Sequence, residues 1–262
     1  MLPLTDTHCH LLAGLDDGPR TWDDALQMCR IAVDQGVGAV TALAHQNDQY
    51  PDVTPARIHD ATRELAGLLR QHRIPLRVYP CAEVMVHPEI IDQWHRGELL
   101  SFADAGRYLL IELPHGLFLD LRDLVSEFCS LGVRPILAHP ERQPELLHDD
   151  RMMDELVMRG CLIQASASSL TQDQQPEIVA GVRRWAERGI IHLIGSDGHS
   201  VRRRPPGIYG AYQRLVEWVG LVPADRICRA NGIAVLEGLP LQVPRPQRPR
   251  GRPWWSRLRG VR

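Results

Sequence analysis

Seven short β-rich runs, at residues 4–8, 38–44, 76–82, 108–113, 135–139, 161–164 and 191–195, are each followed by a stretch with helical character. This alternation constrains the fold more than any other feature of the chain. Strands separated by single helices pair in parallel through right-handed crossovers. The helical stretches carry their own start signals. Thr21-Trp22-Asp23-Asp24 has the spacing of a capping box, with Asp where Glu is favoured, and opens a helix to about residue 35. Thr54-Pro55 opens the next with proline in the first helical position. Further helices are expected from 87–89 and over 120–131, 149–158, 176–188, 208–219 and 223–231. Seven such units favour an α/β fold whose sheet is a closed or nearly closed (β/α) barrel over an open doubly wound sheet. No G-x-G-x-x-G follows the first strand, which weakens the open-sheet alternative.

At 262 residues the chain can bury a sizeable core. It contains no apolar run of about 18 residues, so no membrane span is expected. Met1 leads straight into Leu2-Pro3-Leu4, with no basic region before an apolar core, and no signal peptide is expected. The six cysteines (9, 29, 81, 129, 161 and 228) form no C-x-x-C pair, as expected of reduced thiols in a cytoplasmic protein. None is followed by arginine six residues later, which excludes the thiolate loop of cysteine-dependent phosphatases. Every basic side chain is arginine, a bias we assign to genome composition. Charge is uneven: residues 244–262 hold seven arginines and no acid, so the body keeps 23 basic residues against 32 acidic ones. Residues 1–240 are read as one domain and 241–262 as a disordered Pro/Arg-rich tail. Trp254-Trp255 and the arginines could give that tail weak contact with a membrane surface. Deleting 244–262 should then shift protein from membrane to soluble fractions.

The ends of the apolar runs carry the chemistry. On a strand, positions i and i+2 share a face, so His8 and His10 can converge on one cation while Cys9 points away. In (β/α) barrels, catalytic groups gather at the C-terminal strand ends. The seven units supply His8 and His10, His45, Glu83, Glu112, His139, an undecided loop at 166–169, and Asp197 with His199 there in turn. With Asp17 from the first loop, this makes five imidazoles and four carboxylates. Nitrogen and oxygen donors without thiolate suit Mn, Fe or Zn, and nine donors are too many for one ion. Three divalent ions bring about +6 against −4 from the carboxylates, a surplus suited to a dianionic phosphate monoester. Arg142 and Arg204 lie beside His139 and His199, and a guanidinium can hold two phosphate oxygens at once. The other histidines (59, 72, 87, 95, 115, 148 and 192) read as ordinary surface or packing groups, with His87 and His115 able to line the rim.

The order D-x-H-x-H, a lone His, two strand-end Glu, H-P-E-R and S-D-x-H resembles the PHP (polymerase and histidinol phosphatase) superfamily. More narrowly, it is similar to bacterial PHP-type protein-tyrosine phosphatases of capsule and exopolysaccharide synthesis. The resemblance covers roughly residues 4–237. Its most specific pieces are His8-Cys9-His10 with Gly14-Leu15-Asp16-Asp17-Gly18-Pro19, His139-Pro140-Glu141-Arg142, and Ser196-Asp197-Gly198-His199 with Arg204-Pro205-Pro206. It implies a distorted seven-stranded barrel holding three metals. His8, His10, Glu83 and Asp197 would hold the first, Glu83, Glu112 and His139 the second, and Asp17, His45 and His199 the third. Asp17 matches the family ligand and Asp16 does not; Arg142 and Arg204 fall at the phosphate-holding arginines. Gln46, Gln143 and Ser200 depart from the family's common residues; none removes an implied ligand, and the departures bear on substrate contacts at the rim.

The expected activity is therefore metal-dependent hydrolysis of protein phosphotyrosine, on a tyrosine kinase regulating polysaccharide export, in the cytoplasm or at the inner face of the membrane. Two other readings use the same residues: another PHP phosphoesterase acting on histidinol phosphate or a nucleotide, or a non-catalytic metal-bound regulator. An acidic body with no basic aromatic groove disfavours a nucleic-acid substrate.

Overall fold

The computed structural model describes residues 3–171, 174–241 and 243. Seven parallel strands form one sheet in sequence order: β1 (Leu4–His10), β2 (Val37–Gln46), β3 (Arg77–Met85), β4 (Tyr108–Glu112), β5 (Arg134–Ala138), β6 (Leu162–Ser166) and β7 (Leu193–Gly195). Helices α1 (Trp22–Asp34), α2 (Pro55–Gln71), α3 (Ile90–His95) and α4 (Arg122–Ser130) connect the first five strands. Then come α5 (Pro144–His148), α6 (Asp150–Met158), α7 (Ala167–Thr171), α8 (Pro176–Glu187), α9 (Tyr209–Val219), α10 (Leu221–Asp225) and α11 (Asn231–Leu236). The expected helix starts are present: Thr21 Oγ1 accepts the Asp24 N–H at 3.2 Å, and Thr54 Oγ1 the Arg57 N–H at 3.3 Å.

The ends β1 and β7 meet, which nearly closes the barrel. Cys9 bridges Gly198 in parallel register; the Asp197 N–H donates to His8 O at 2.8 Å and the His10 N–H to Gly198 O at 2.9 Å. Glycine makes this approach possible, because a Cβ at Gly195 would stand 2.2 Å from the His8 Cβ.

Strand periodicity sorts the buried residues into two layers. Val40, Ala42, Ala82, Val84, Leu109, Ile111, Leu137 and Ile163 join the outer core beneath the helices. Their alternates Ala39, Leu43, Cys81, Tyr108, Leu110, Ile136 and Leu162 fill the barrel interior. Val235 and Leu236 of α11 join that inner cluster. At the strands' N-terminal ends, Tyr108 Oη donates to Leu239 O and Arg107 Nε to Gly238 O. The interior is thus packed below, and its polar residues lie at the C-terminal mouth.

Several boundaries differ from the sequence reading. Strand β1 runs on to His10 through a register shift between Asp6 and Cys9, and β2 and β3 include His45 and Glu83. The undecided loop at 166–169 is the last residue of β6 followed directly by the start of α7. The helix expected over 223–231 is part of a continuous run from α10 through a π-turn at Arg226–Ala230 into α11. Leu241 and Val243 pack on the inner cluster, with the Leu241 N–H donating to Tyr108 Oη. The arginine-rich stretch 244–262 lies outside the described residues. No helix among the described residues is long and apolar enough to cross a membrane.

Candidate metal centre

All nine expected donors converge at the mouth of the barrel. Three ladder contacts explain how: His45 pairs with Glu83, Glu83 with Leu110, and Met85 with Glu112, so both glutamates and His45 follow the inward parity of Cys81, Leu110 and Leu43. Glu83 lies at the centre. Its Oε2 is 3.1 Å from His8 Nε2, 3.2 Å from His10 Nε2 and 3.4 Å from His45 Nδ1, while its Oε1 is 2.9 Å from His139 Nε2. Glu112 Oε1 stands 3.2 Å from His45 Nδ1. Asp17 Oδ1 reaches His199 Nε2 at 3.3 Å and His45 Nε2 at 3.5 Å, and Asp197 Oδ1 is 3.5 Å from His8 Nε2.

His139 and Asp197 have left-handed backbone, with φ of 34° and 54°. For non-glycine residues this conformation is strained, and here it turns both side chains back over the mouth just after β5 and β7. Hydrogen bonds hold it in place: the His139 N–H donates to Gln164 O at 2.8 Å. Glu141, buried behind this turn, accepts the Ser166 N–H at 2.8 Å and ties β5 to β6.

The tautomers of three imidazoles are fixed from behind. Gln164 Nε2 donates to Thr7 O and Thr7 Oγ1, leaving its Oε1 to accept from His8 Nδ1 at 2.7 Å. His10 Nδ1 donates to Asp16 Oδ2 at 2.6 Å, and His199 Nδ1 to Asp197 O at 2.9 Å. Each Nε2 therefore faces the cluster and offers its lone pair there once any proton on it is released. Asp16 also accepts the N–H groups of Gly18 and His45, so it supports the donors and Asp17 stands among them. Asp6 Oδ1 accepts the His8 and Ser196 N–H groups, joining β1 to the segment after β7; burial pushes its carboxyl up to about 6.

Gln164 carries no role in the sequence reading, and Asp6 enters it only as the first residue of D-x-H-x-H, without a role of its own. A polar residue at inward strand parity was the available signal for Gln164, and the i, i+2 relation to His8 for Asp6. Gln46 is structural: its amide bonds Val53 O, Glu98 O and the Leu100 N–H. His87 bonds Gln93, and His115 lines a small recess beside His139 and Arg142.

The donor set fits divalent cations. His10 Nε2, His45 Nδ1 and Glu112 Oε1 are buried with charged neighbours at 3.2 Å but make no well-directed hydrogen bond. Such atoms are costly unless something else engages them. Four groups of donors lie with their atoms within 4.8 Å of one another: His10, Asp17, His45 and His199; His8, His10 and Asp197; His8, Glu83 and His139; and His45, Glu83 and Glu112. Ligand atoms at about 2.1 Å from an ion stand about 3.0–3.4 Å apart, close to the spacings seen around Glu83. Electrostatics agrees. Burial alone would push the Glu83 carboxyl up, but His8, His10 and His139 hold it well below the usual carboxylate range. Burial disfavours the charged forms of His10 and His45, yet the nearby carboxylates hold both at about 9.

Two guanidiniums close the site. Arg142 Nη2 and Arg204 Nη2 both contact Asp197 Oδ2. The Ser200 hydroxyl accepts the N–H groups of Arg203 and Arg204, fixing the turn that presents them.

The model of the capsular polysaccharide synthesis family CpsB/CapC matches residues 4–237. The chain belongs to this family. Its relatives include the tyrosine-protein phosphatase YwqE of Bacillus subtilis, 32% identical over 209 residues that cover 77% of this chain and 79% of YwqE. The tyrosine-protein phosphatase CpsB of Streptococcus pneumoniae is 22% identical over 86% of this chain and 94% of its own. A crystal structure from the pair YwqE and CpsB, reported as metal-dependent tyrosine phosphatases, superposes with a TM-score of 0.87 at 29% identity, covering 93% of this chain and 98% of that one. A TatD-family hydrolase of Entamoeba histolytica shares the fold alone, with a TM-score of 0.56 at 9% identity over 89% of this chain and 98% of its own.

Proposed function

We propose that this CpsB/CapC chain is a metal-dependent protein-tyrosine phosphatase whose substrate protein is a bacterial tyrosine kinase regulating capsule or exopolysaccharide synthesis. One observation carries the reading: nine converging donors, three of their buried atoms making no well-directed hydrogen bond, lie beside two arginines that meet at Asp197. The phosphatase names of the family relatives support the reaction class.

His8, His10, Glu83 and Asp197 would hold one divalent ion, Glu83, Glu112 and His139 a second, and Asp17, His45 and His199 a third. Manganese is our choice for this nitrogen and oxygen set, with iron or zinc as alternatives. When bound, such ions supply Lewis acidity at the phosphoryl oxygens and lower the pKa of water. The chain supplies the rest. Gln164 and Asp16 hold His8 and His10 so that their Nε2 atoms face the cluster. Arg142 and Arg204 would hold phosphoryl oxygens and align the ester with the donor cluster. Phenolate leaves readily, so no strong general acid is required. A cysteine nucleophile has no place in this scheme: Cys9 is fully buried on the outer face, where burial pushes its thiol far up.

Acting on such a kinase, the protein would work in the cytoplasm, at the inner face of the membrane. A side-by-side assay with added manganese tests the reaction: a phosphotyrosine peptide should be turned over in preference to histidinol phosphate and a nucleoside monophosphate. Preference for histidinol phosphate would overturn the substrate assignment.

A further inference from the structure

The mouth is flanked by two clefts that meet along one short run of arginines. The first, about 680 Å³, has Asp17 and His199 in its wall together with Arg20, Arg202, Arg203 and Arg204. The second, about 760 Å³, carries Arg142 and Asp197 and shares Arg203 and Arg204 with the first. Arg204 belongs to the phosphate-holding pair through Asp197. Arg20, Arg202 and Arg203 do not: all three are exposed and make no side-chain ion pair or hydrogen bond among the described residues.

Some exposed arginines elsewhere pair with acids, as Arg96 does with Glu98 and Arg183 with Glu187, and others, Arg30, Arg70, Arg73 and Arg226, do not. What sets this strip apart is that three unpaired arginines line one cleft beside the mouth. In a body with 32 acids to 23 basic residues, three unpaired arginines in one cleft require a local reason. The strip is also held in shape. Ser200 Oγ accepts the Arg203 and Arg204 N–H groups at 3.2 and 3.1 Å, Pro205 and Pro206 follow, and Gly198 packs so close to Pro206 that a Cβ would lie 2.9 Å from its backbone. A backbone fixed this way loses less entropy on meeting a partner than a mobile loop would.

We infer that Arg20, Arg202 and Arg203 bind anionic side chains flanking the phosphotyrosine, so that the protein selects acidic polypeptide segments. The inference rests on the phosphatase reading and adds the sequence context of its substrate. The anionic groups are Asp and Glu carboxylates or a second phosphotyrosine, both of which a guanidinium holds in bidentate fashion. Among the described residues, the first cleft has no Phe, Tyr or Trp in its wall on which bases could stack, which favours a peptide over a nucleic acid.

Fluorescence anisotropy on the metal-loaded protein tests this without requiring turnover. Three labelled peptides carry a non-hydrolysable difluorophosphonate in place of the central phosphotyrosine. Their flanks are Asp/Glu, a second phosphonate, or neutral residues. An exposed ion pair contributes a factor of roughly 1.5 to 5, so three should give the acidic peptides roughly tenfold tighter binding at low salt, shrinking as salt rises. Whichever acidic peptide binds tighter identifies the anionic group. In the triple variant Arg20→Ser/Arg202→Ser/Arg203→Ser the gap should close, while p-nitrophenyl phosphate turnover reports whether the site itself survives. Equal binding of all three peptides by the unaltered protein overturns the inference, as does a gap that persists in the variant. Displacement of the acidic peptides by a lower concentration of single-stranded oligonucleotide would reassign the strip to nucleic acid. A variant-sensitive gap in a protein with no phosphotyrosine turnover supports the strip and overturns the phosphatase reading alone.

Discussion

At His8 a single amide decides which ring nitrogen faces the cluster. Gln164 takes the Nδ1 proton because its own NH2 is committed to Thr7. Gln164→Leu should therefore lower divalent-metal affinity by about 10–100-fold with the fold intact, measured by calorimetric titration, and Gln164→Glu should recover part of the loss. Asp197 has a different weight, since it touches His8, His199, Arg142 and Arg204 together. Asp197→Ala should abolish phosphotyrosine turnover while circular dichroism stays unchanged. Arg142→Ala should cost on the order of 10²-fold in kcat/KM, with Arg142→Lys failing to restore it, because an ammonium cannot span two phosphoryl oxygens. The nine donors were legible in the sequence because each closes an apolar run or lies just past one. Their supports were not. The Gln164–His8 contact joins residues 156 positions apart, and only the barrel's closure brings them together.

The elements that close the barrel set its tolerance to change. Gly195 on β7 faces β1 so closely that an added methyl would collide with the His8 Cβ. Gly195→Ala should therefore destabilise the protein by about 1–3 kcal/mol, seen as a Tm lower by several degrees, and should weaken metal binding through His8. The alternation of runs indicated this parallel order, but not the register shift that lets β1 carry both His8 and His10. Just before β7, His192 is buried and its Nδ1 accepts the Ile163 N–H at 2.9 Å. Burial, aided by the Arg134 charge, lowers its pKa to about 3. The unfolded chain, with an ordinary histidine near 6.5, binds this proton first as pH falls. Stability is thus unaffected by His192 above about 6.5 and is lost at up to about 1.4 kcal/mol per pH unit between about 6.5 and 3. His192→Asn keeps an acceptor for Ile163, so its denaturation midpoint should fall less steeply with acid than that of the unaltered protein. Equal slopes would rule out this assignment.

Across the whole molecule, a packed barrel interior supports a polar mouth, and loading that mouth with cations must displace protons. His10 and His45, held at about 9, are protonated at neutral pH, and each would have to release its proton to become a ligand. Metal affinity should accordingly fall as pH drops from 9 to 6, and titrations in buffers of different ionisation enthalpy should show net proton release. The most direct test of metal-dependent phosphotyrosine hydrolysis is to strip the purified protein with chelator and then titrate manganese back while following turnover of a phosphotyrosine peptide. The predicted result is no turnover in the stripped protein and recovery that saturates near three ions per chain. Undiminished turnover in fully stripped protein would contradict the account.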